Sequence, residues 1–97
     1  MKHRRAAKID TNQPGIVDAL RDIPGVTVEV GHDDIIVGHN GRTLWYEIKS
    51  GDAVSRHTGE ILKSTIRPGQ MKLEHGWTGH YKIVSSLDEI LADMGLG

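Results

Sequence analysis

The dipeptide Asn40-Gly41 sits between two runs of mostly alternating character, Asp34-Ile-Ile-Val-Gly-His39 and Arg42-Thr-Leu-Trp-Tyr-Glu-Ile-Lys49. Asn-Gly in that setting is the strongest short-range hairpin signal, because both central residues of a type I′ turn need positive φ. Once the turn is placed, the register follows. His39 faces Arg42, and counting outward sets Asp34 opposite Glu47, with Cβ atoms about 5 Å apart. Side chains alternate along a strand, so Lys49 leaves the same face as both carboxylates. Asp33 pairs with Ile48 by the same count and points to the other face, which makes it the weaker candidate.

Two facing carboxylates repel unless something neutralises them. A divalent cation does so: Mg²⁺ takes about six oxygens at roughly 2.1 Å, commonly from one or two carboxylates and otherwise from water and phosphate. A lysine beside such a cation can orient or deprotonate an attacking water, or stabilise charge on a phosphate in flight. The reaction class implied is phosphodiester hydrolysis. A plainer reading stands beside it, a solvated face whose ion pair is worth little. The setting supports the first. Leu44, Tyr46 and Ile48 alternate with Trp45, Glu47 and Lys49, and Ile35 and Val37 with Ile36, so both hairpin faces are expected to be partly buried. Charges on a partly buried strand need a reason.

A chain of 97 residues is expected to form one domain, residues 1–97, with a single modest core. The formal net charge of −1 gives no global positive field. Basic residues cluster locally instead, at Lys2, Arg4, Arg5 and Lys8 in a loose segment over 1–11, and at Arg56, His57, Lys63 and Arg67. Each cluster taken separately is more often solvated than phosphate-binding. The absence of cysteine excludes disulfides and thiolate metal sites. With no apolar signal core and no run of membrane-spanning length, the expectation is a soluble cytoplasmic protein.

Ile16, Val17, Leu20 and Ile23 recur at helical spacing behind Pro14, and Pro24-Gly25 stops that helix. Val26, Val28 and Val30 alternate with Thr27 and Glu29 as a half-buried strand. The hairpin follows over about 33–50, then a polar connection from Gly51 to Arg67, the expected substrate-gripping segment. Residues 68–75 are predicted helical and Gly76 ends them. A strand spans 80–85 on Tyr81, Ile83 and Val84. Ser86-Leu-Asp-Glu89 reads as a capping box opening a last helix with Leu87, Ile90, Leu91 and Met94 on its apolar side.

An acid opening one hairpin strand, Glu-x-Lys on the next, and this order of elements resemble the PD-(D/E)xK nuclease superfamily. Asp34-Ile-Ile-Val-Gly38, Gly41-Arg-Thr43, Glu47-Ile-Lys49, and then Arg67-Pro-Gly-Gln70 with Trp77 and Val84 resemble its VRR-NUC branch, including small stand-alone phage and bacterial members. The resemblance covers residues 12–93. It implies an α/β restriction-endonuclease-like core in the order α-β-β-β-α-β-α, a mixed sheet flanked by helices. It further implies that Asp34, Glu47 and the carbonyl of Ile48 hold Mg²⁺ or Mn²⁺, that Lys49 serves the attacking water, and that Gln70 reaches toward the site. Asp33 stands where the superfamily's name has proline, and Gln13 where the first helix often offers an acid, which implies one protein-bound metal. The activity implied is that of a DNA endonuclease acting as a homodimer on branched or junction DNA, with Arg56, His57, Lys63 and Arg67 as candidate DNA contacts. The rival from another class is a nucleic-acid-binding module, or partner subunit, that keeps the fold without cutting.

The histidines are scattered, without the spacing of a zinc site. His32 alone falls on the hairpin's charged face, opposite Lys49, where a polar loop end is the commoner use. Trp45 shares the face of Glu47 and could stack on a base, although packing against a helix is the commoner use of so large a ring. Trp77 is expected in the core or at a dimer interface.

Overall fold

Asn40 and Gly41 both adopt positive φ, 53° and 75°, as a type I′ turn requires. In the computed structural model, strands Asp34–His39 (β2) and Arg42–Ile48 (β3) pair antiparallel in the register His39↔Arg42 through Asp34↔Glu47. The structure describes residues 13–31, 34–49, 55, 57, 58, 60–62 and 65–97. The expected basic segment at the amino end, the candidate contacts Arg56 and Lys63, and the placements of His32 and Asp33 lie outside the described residues.

Helix Gln13–Arg21 (α1) precedes strand Val26–Val30 (β1), which pairs antiparallel with β2. After β3 come helix Pro68–Gly76 (α2), strand Lys82–Val84 (β4) and helix Leu87–Met94 (α3). The order is α-β-β-β-α-β-α, as expected, around one four-stranded open sheet in the order β1-β2-β3-β4. β3 and β4 run parallel, with Glu47 level with Ile83, and α2 lies within the crossover that parallel pairing demands.

The pleat divides this sheet into two unlike faces. Val26, Val28, Ile35, Val37, Leu44 and Tyr46 share one face and bury against Ile16, Val17 and Leu20 of α1 and Ile90 and Met94 of α3. Full burial of such side chains is worth about 1.5–3 kcal/mol each. The other face carries Ile36, Trp45, Glu47 and, two residues on, Lys49. α2 meets the chain there through Gln70. The expectation of two partly buried hairpin faces holds at Glu47 but not at Ile36, which is 43% exposed. Val30 is 49% exposed as well, at the end of β1, which among the described residues has a neighbouring strand on one side only.

Two local expectations shift by a residue or two. β4 is shorter than 80–85, and the His80 ring stands in for the missing ladder: Trp45 donates its backbone N–H to His80 Nδ1 at 2.9 Å. At α3, Ser86 Oγ accepts the Glu89 N–H as a cap should, but the Glu89 carboxylate accepts from Ser85 N and Ser85 Oγ, at 2.7 and 2.8 Å, one residue earlier than a capping box predicts.

Candidate functional site

The hairpin register sets Asp34 across from Glu47, and Lys49 follows two residues beyond Glu47. Glu47 is 7% exposed. Ile83, also 7% exposed, lies level with Glu47 on the neighbouring strand and helps to bury it. The sequence places Lys49 one step beyond the strand, where its backbone N–H donates to the carbonyl of Val84 at 2.8 Å and so stays tied to β4.

The Lys49 ammonium is held from two sides. Nζ donates to Gln70 Oε1 at 2.7 Å and to the carbonyl of Thr65 at 3.0 Å. An ammonium has three donors, which leaves the third for water or phosphate. Gln70 is itself 7% exposed, and the same Oε1 accepts the backbone N–H of Arg67 at 3.1 Å, so the side chain caps α2 while it fixes the lysine. The Arg67-Pro-Gly-Gln run explains this locally. Proline suits the first turn of a helix, and Gln at the third helical position can reach back to the cap.

Asp34 is oriented by two neighbours. Trp45 Nε1 donates to Asp34 Oδ2 at 2.7 Å, and the Asp34 carbonyl accepts the Gly31 N–H at 2.8 Å. A Cβ at residue 31 would collide with Asp34 Oδ1, so glycine gives the carboxylate its space. Trp45 therefore does not pack into the helix-covered core. Its ring meets Trp77 edge-on at 5.6 Å and Tyr81 at 4.8 Å. Trp77, at 51% exposure, is not a core residue.

Tyr81 carries no site role in the sequence motif, yet the fold brings it to the carboxylates. Its hydroxyl is buried and has no hydrogen-bond partner among the described residues. Desolvation, then the negative charges of Glu47, Asp34 and Glu74, push its pKa up to about 12, against the opposing charge of Arg67. That places Arg67 within electrostatic reach of the site. His57 is exposed, and its backbone N–H bonds to Ser55 Oγ within the connecting segment. Neither Tyr81 nor Thr65 could be found from spacing, since both arrive through chain reversals distant in sequence from the hairpin.

The donor set fits a hard divalent cation. Asp34 and Glu47 supply carboxylate oxygens. The Ile48 side chain packs toward the core, so only its carbonyl could join them. Among the described residues no group of three or more His, Asp or Glu side chains converges, so any such cation would take most of its ligands from water or phosphate. Zinc chemistry at His80 is not served. Its Nδ1 accepts from Trp45, so Nε2 carries the proton and donates to Asp93 Oδ2 at 2.7 Å.

Behind the site, Asp93 Oδ2 also accepts the Tyr46 hydroxyl at 2.6 Å, and Lys82 Nζ lies 3.7 Å from Oδ1. Tyr46 stands between Trp45 and Glu47 in sequence but on the core face, so this network anchors β3 from the rear. Among the described residues no helix is long and apolar enough to cross a membrane. Comparison of the chain with protein-family models, curated proteins and solved structures finds no match.

Proposed function

We propose that this chain is a metal-dependent DNA endonuclease with a core of the PD-(D/E)xK type and VRR-NUC-like motifs. The observation that carries the proposal is the joint placement of Asp34 opposite Glu47 with the Lys49 ammonium fixed by a buried glutamine. A structural ion pair would not need a neutral amide held against the lysine. A site that must keep its lysine directed at a third partner does.

Asp34, Glu47 and the Ile48 carbonyl would hold one Mg²⁺ or Mn²⁺, which supplies Lewis acidity at a phosphate oxygen and a more acidic water. Lys49 uses its remaining donor to orient the attacking water or to bind the phosphate oxygen on which charge builds. The water oxygen forms a new P–O bond as one ester P–O bond breaks. The attacking water loses a proton to solvent and the departing sugar oxygen gains one. Gln70 and Thr65 hold the ammonium in place, and Trp45 and Gly31 set the Asp34 carboxylate.

No base-reading element is evident in the sequence, so cleavage is directed by DNA structure, with branched DNA and a homodimer carrying two sites as the arrangement proposed. The test is cleavage of four-way junction, flap, linear duplex and single-stranded DNA with Mg²⁺ or Mn²⁺, with Glu47→Ala and Lys49→Ala beside the unmodified chain. Metal-dependent cutting lost in both variants is expected. DNA binding without cutting by the unmodified chain would replace the nuclease with the binding module.

A further inference from the structure

Beside Asp34, on the uncovered face of the hairpin, lies a cleft of about 460 Å³ lined by Asp34, Ile36, Thr43, Trp45, Trp77 and Gly79, with the His80 ring at its end. Its walls are largely apolar yet open to solvent: Trp77 is 51% and Ile36 43% exposed. The two indoles stand at 88° to each other, so one wall meets the other edge-on. A Cβ at Gly79 would lie 2.9 Å from Trp77 Nε1, so the backbone at 79 leaves room for the ring where it stands. Among these lining residues Asp34 brings the carboxylate of the candidate metal site, which accepts from Trp45 Nε1 at 2.7 Å.

We propose that this cleft is a nucleobase subsite, taking one unstacked base from a nucleotide next to the phosphate held at Asp34. The inference rests on the nuclease reading for the position of that phosphate. Continuity selects the occupant. The ring that bounds the cleft is hydrogen-bonded to the carboxylate beneath the scissile group, so a nucleotide anchored there has its neighbouring base within a sugar's length of the indoles. A base is flat, apolar on both faces and bears N–H donors at its edge, matching aromatic walls with Asp34 and Thr43 among the lining residues. An apolar anchor from a protein partner would desolvate the carboxylate without offering it a donor. Unstacked bases occur at junctions, flaps and single strands, so the subsite supplies a physical basis for structure selectivity without sequence reading.

The test measures binding by fluorescence anisotropy, with Ca²⁺ replacing Mg²⁺ so that strands stay intact. A short single-stranded oligodeoxynucleotide and its abasic counterpart are compared for the unmodified chain, Trp77→Phe, Trp77→Ala and Gly79→Ala, each checked for an unchanged melting temperature. Trp77→Ala should weaken the base-bearing strand about 10-fold or more, the scale of one base–aromatic stack, and leave the abasic strand unaffected. Trp77→Phe should retain most of the binding, and Gly79→Ala should weaken it by displacing the ring. Equal loss on both strands, or on neither, overturns the subsite. So does a dimer of the unmodified chain that Trp77→Ala dissociates, since the cleft would then be a contact between copies. Base-dependent binding in a chain that cuts nothing with Mg²⁺ would support the subsite while removing the nuclease. Cutting that ignores Trp77 would do the reverse.

Discussion

Replacing Asp93 by alanine tests whether the candidate site is anchored from behind. Asp93 Oδ2 accepts from Tyr46, a fully buried phenol on the core face of β3, and from His80, which itself caps Trp45. A hydrogen bond to a charged group contributes about 1.5–3 kcal/mol, and stranding a buried hydroxyl costs about 1–3 kcal/mol. Because these overlap, Asp93→Ala should destabilise by about 2–4 kcal/mol. At about 4–8 °C per kcal/mol for a domain of this size, the melting temperature should fall by roughly 8–32 °C. A double-mutant cycle separates the parts. Tyr46→Phe should be costly in the native background and nearly neutral beside Asp93→Ala, where the hydroxyl has already lost its acceptor. The carboxyl also has a pH signature. Burial pushes its pKa up, but the hydrogen bonds from Tyr46 and His80, together with nearby His80 and Lys82, outweigh this and hold it below its ordinary value. A depressed folded pKa contributes stability that is full above the unfolded value, about 3.9, and is lost as pH falls through the folded value. Melting curves between pH 7 and strong acid should therefore fall less steeply in Asp93→Ala. Equal cost of Tyr46→Phe in both backgrounds would refute the anchor.

Three further outcomes are expected. Gln70→Ala should lower kcat by about 10–100-fold by releasing Lys49, while costing about 2–4 kcal/mol of stability, because Oε1 is lost to both the Lys49 ammonium and the Arg67 N–H; cleavage kinetics and urea unfolding measure both. Gly31→Ala drives a Cβ into Asp34 Oδ1, so Mn²⁺ binding followed by electron paramagnetic resonance should weaken about 10-fold or more, the scale seen when the groups that orient metal ligands are altered. Tyr81 should ionise near pH 12 in ultraviolet titration. Since its folded pKa is raised, the stability it confers is full below about pH 10 and is lost between about 10 and 12. Glu47→Gln should move that titration downward.

The hairpin was legible because Asn40-Gly41 allows one turn geometry, and that geometry determines which residues face each other out to Asp34 and Glu47. The helices were legible through the period of Ile16, Val17 and Leu20 and of Ile90 and Met94. What could not be read came from the parallel joining of β3 and β4. No local signal tells that His80 will satisfy the Trp45 N–H, that Asp93 will meet Tyr46, or that Tyr81 will feel the charges of Glu47 and Asp34. Trp45 was misjudged because ring size favours a core position on average. Here its N–H found the Asp34 carboxylate, and its ring packs edge-on against Trp77 and Tyr81 instead.

Because the pleat sends Leu44, Tyr46 and Ile48 one way and Trp45, Glu47 and Lys49 the other, β3 writes two messages in alternate letters. Substitutions at the odd positions can retune chemistry with little effect on the buried set, so this face is free to diverge while the core stays put. An insertion or deletion of one residue is a different matter. It would exchange the two sets, sending carboxylate and ammonium into the helix-packed interior and tyrosine and leucine into solvent. Change in this strand is therefore expected to proceed by replacement, with length variation confined to the connection beyond residue 50.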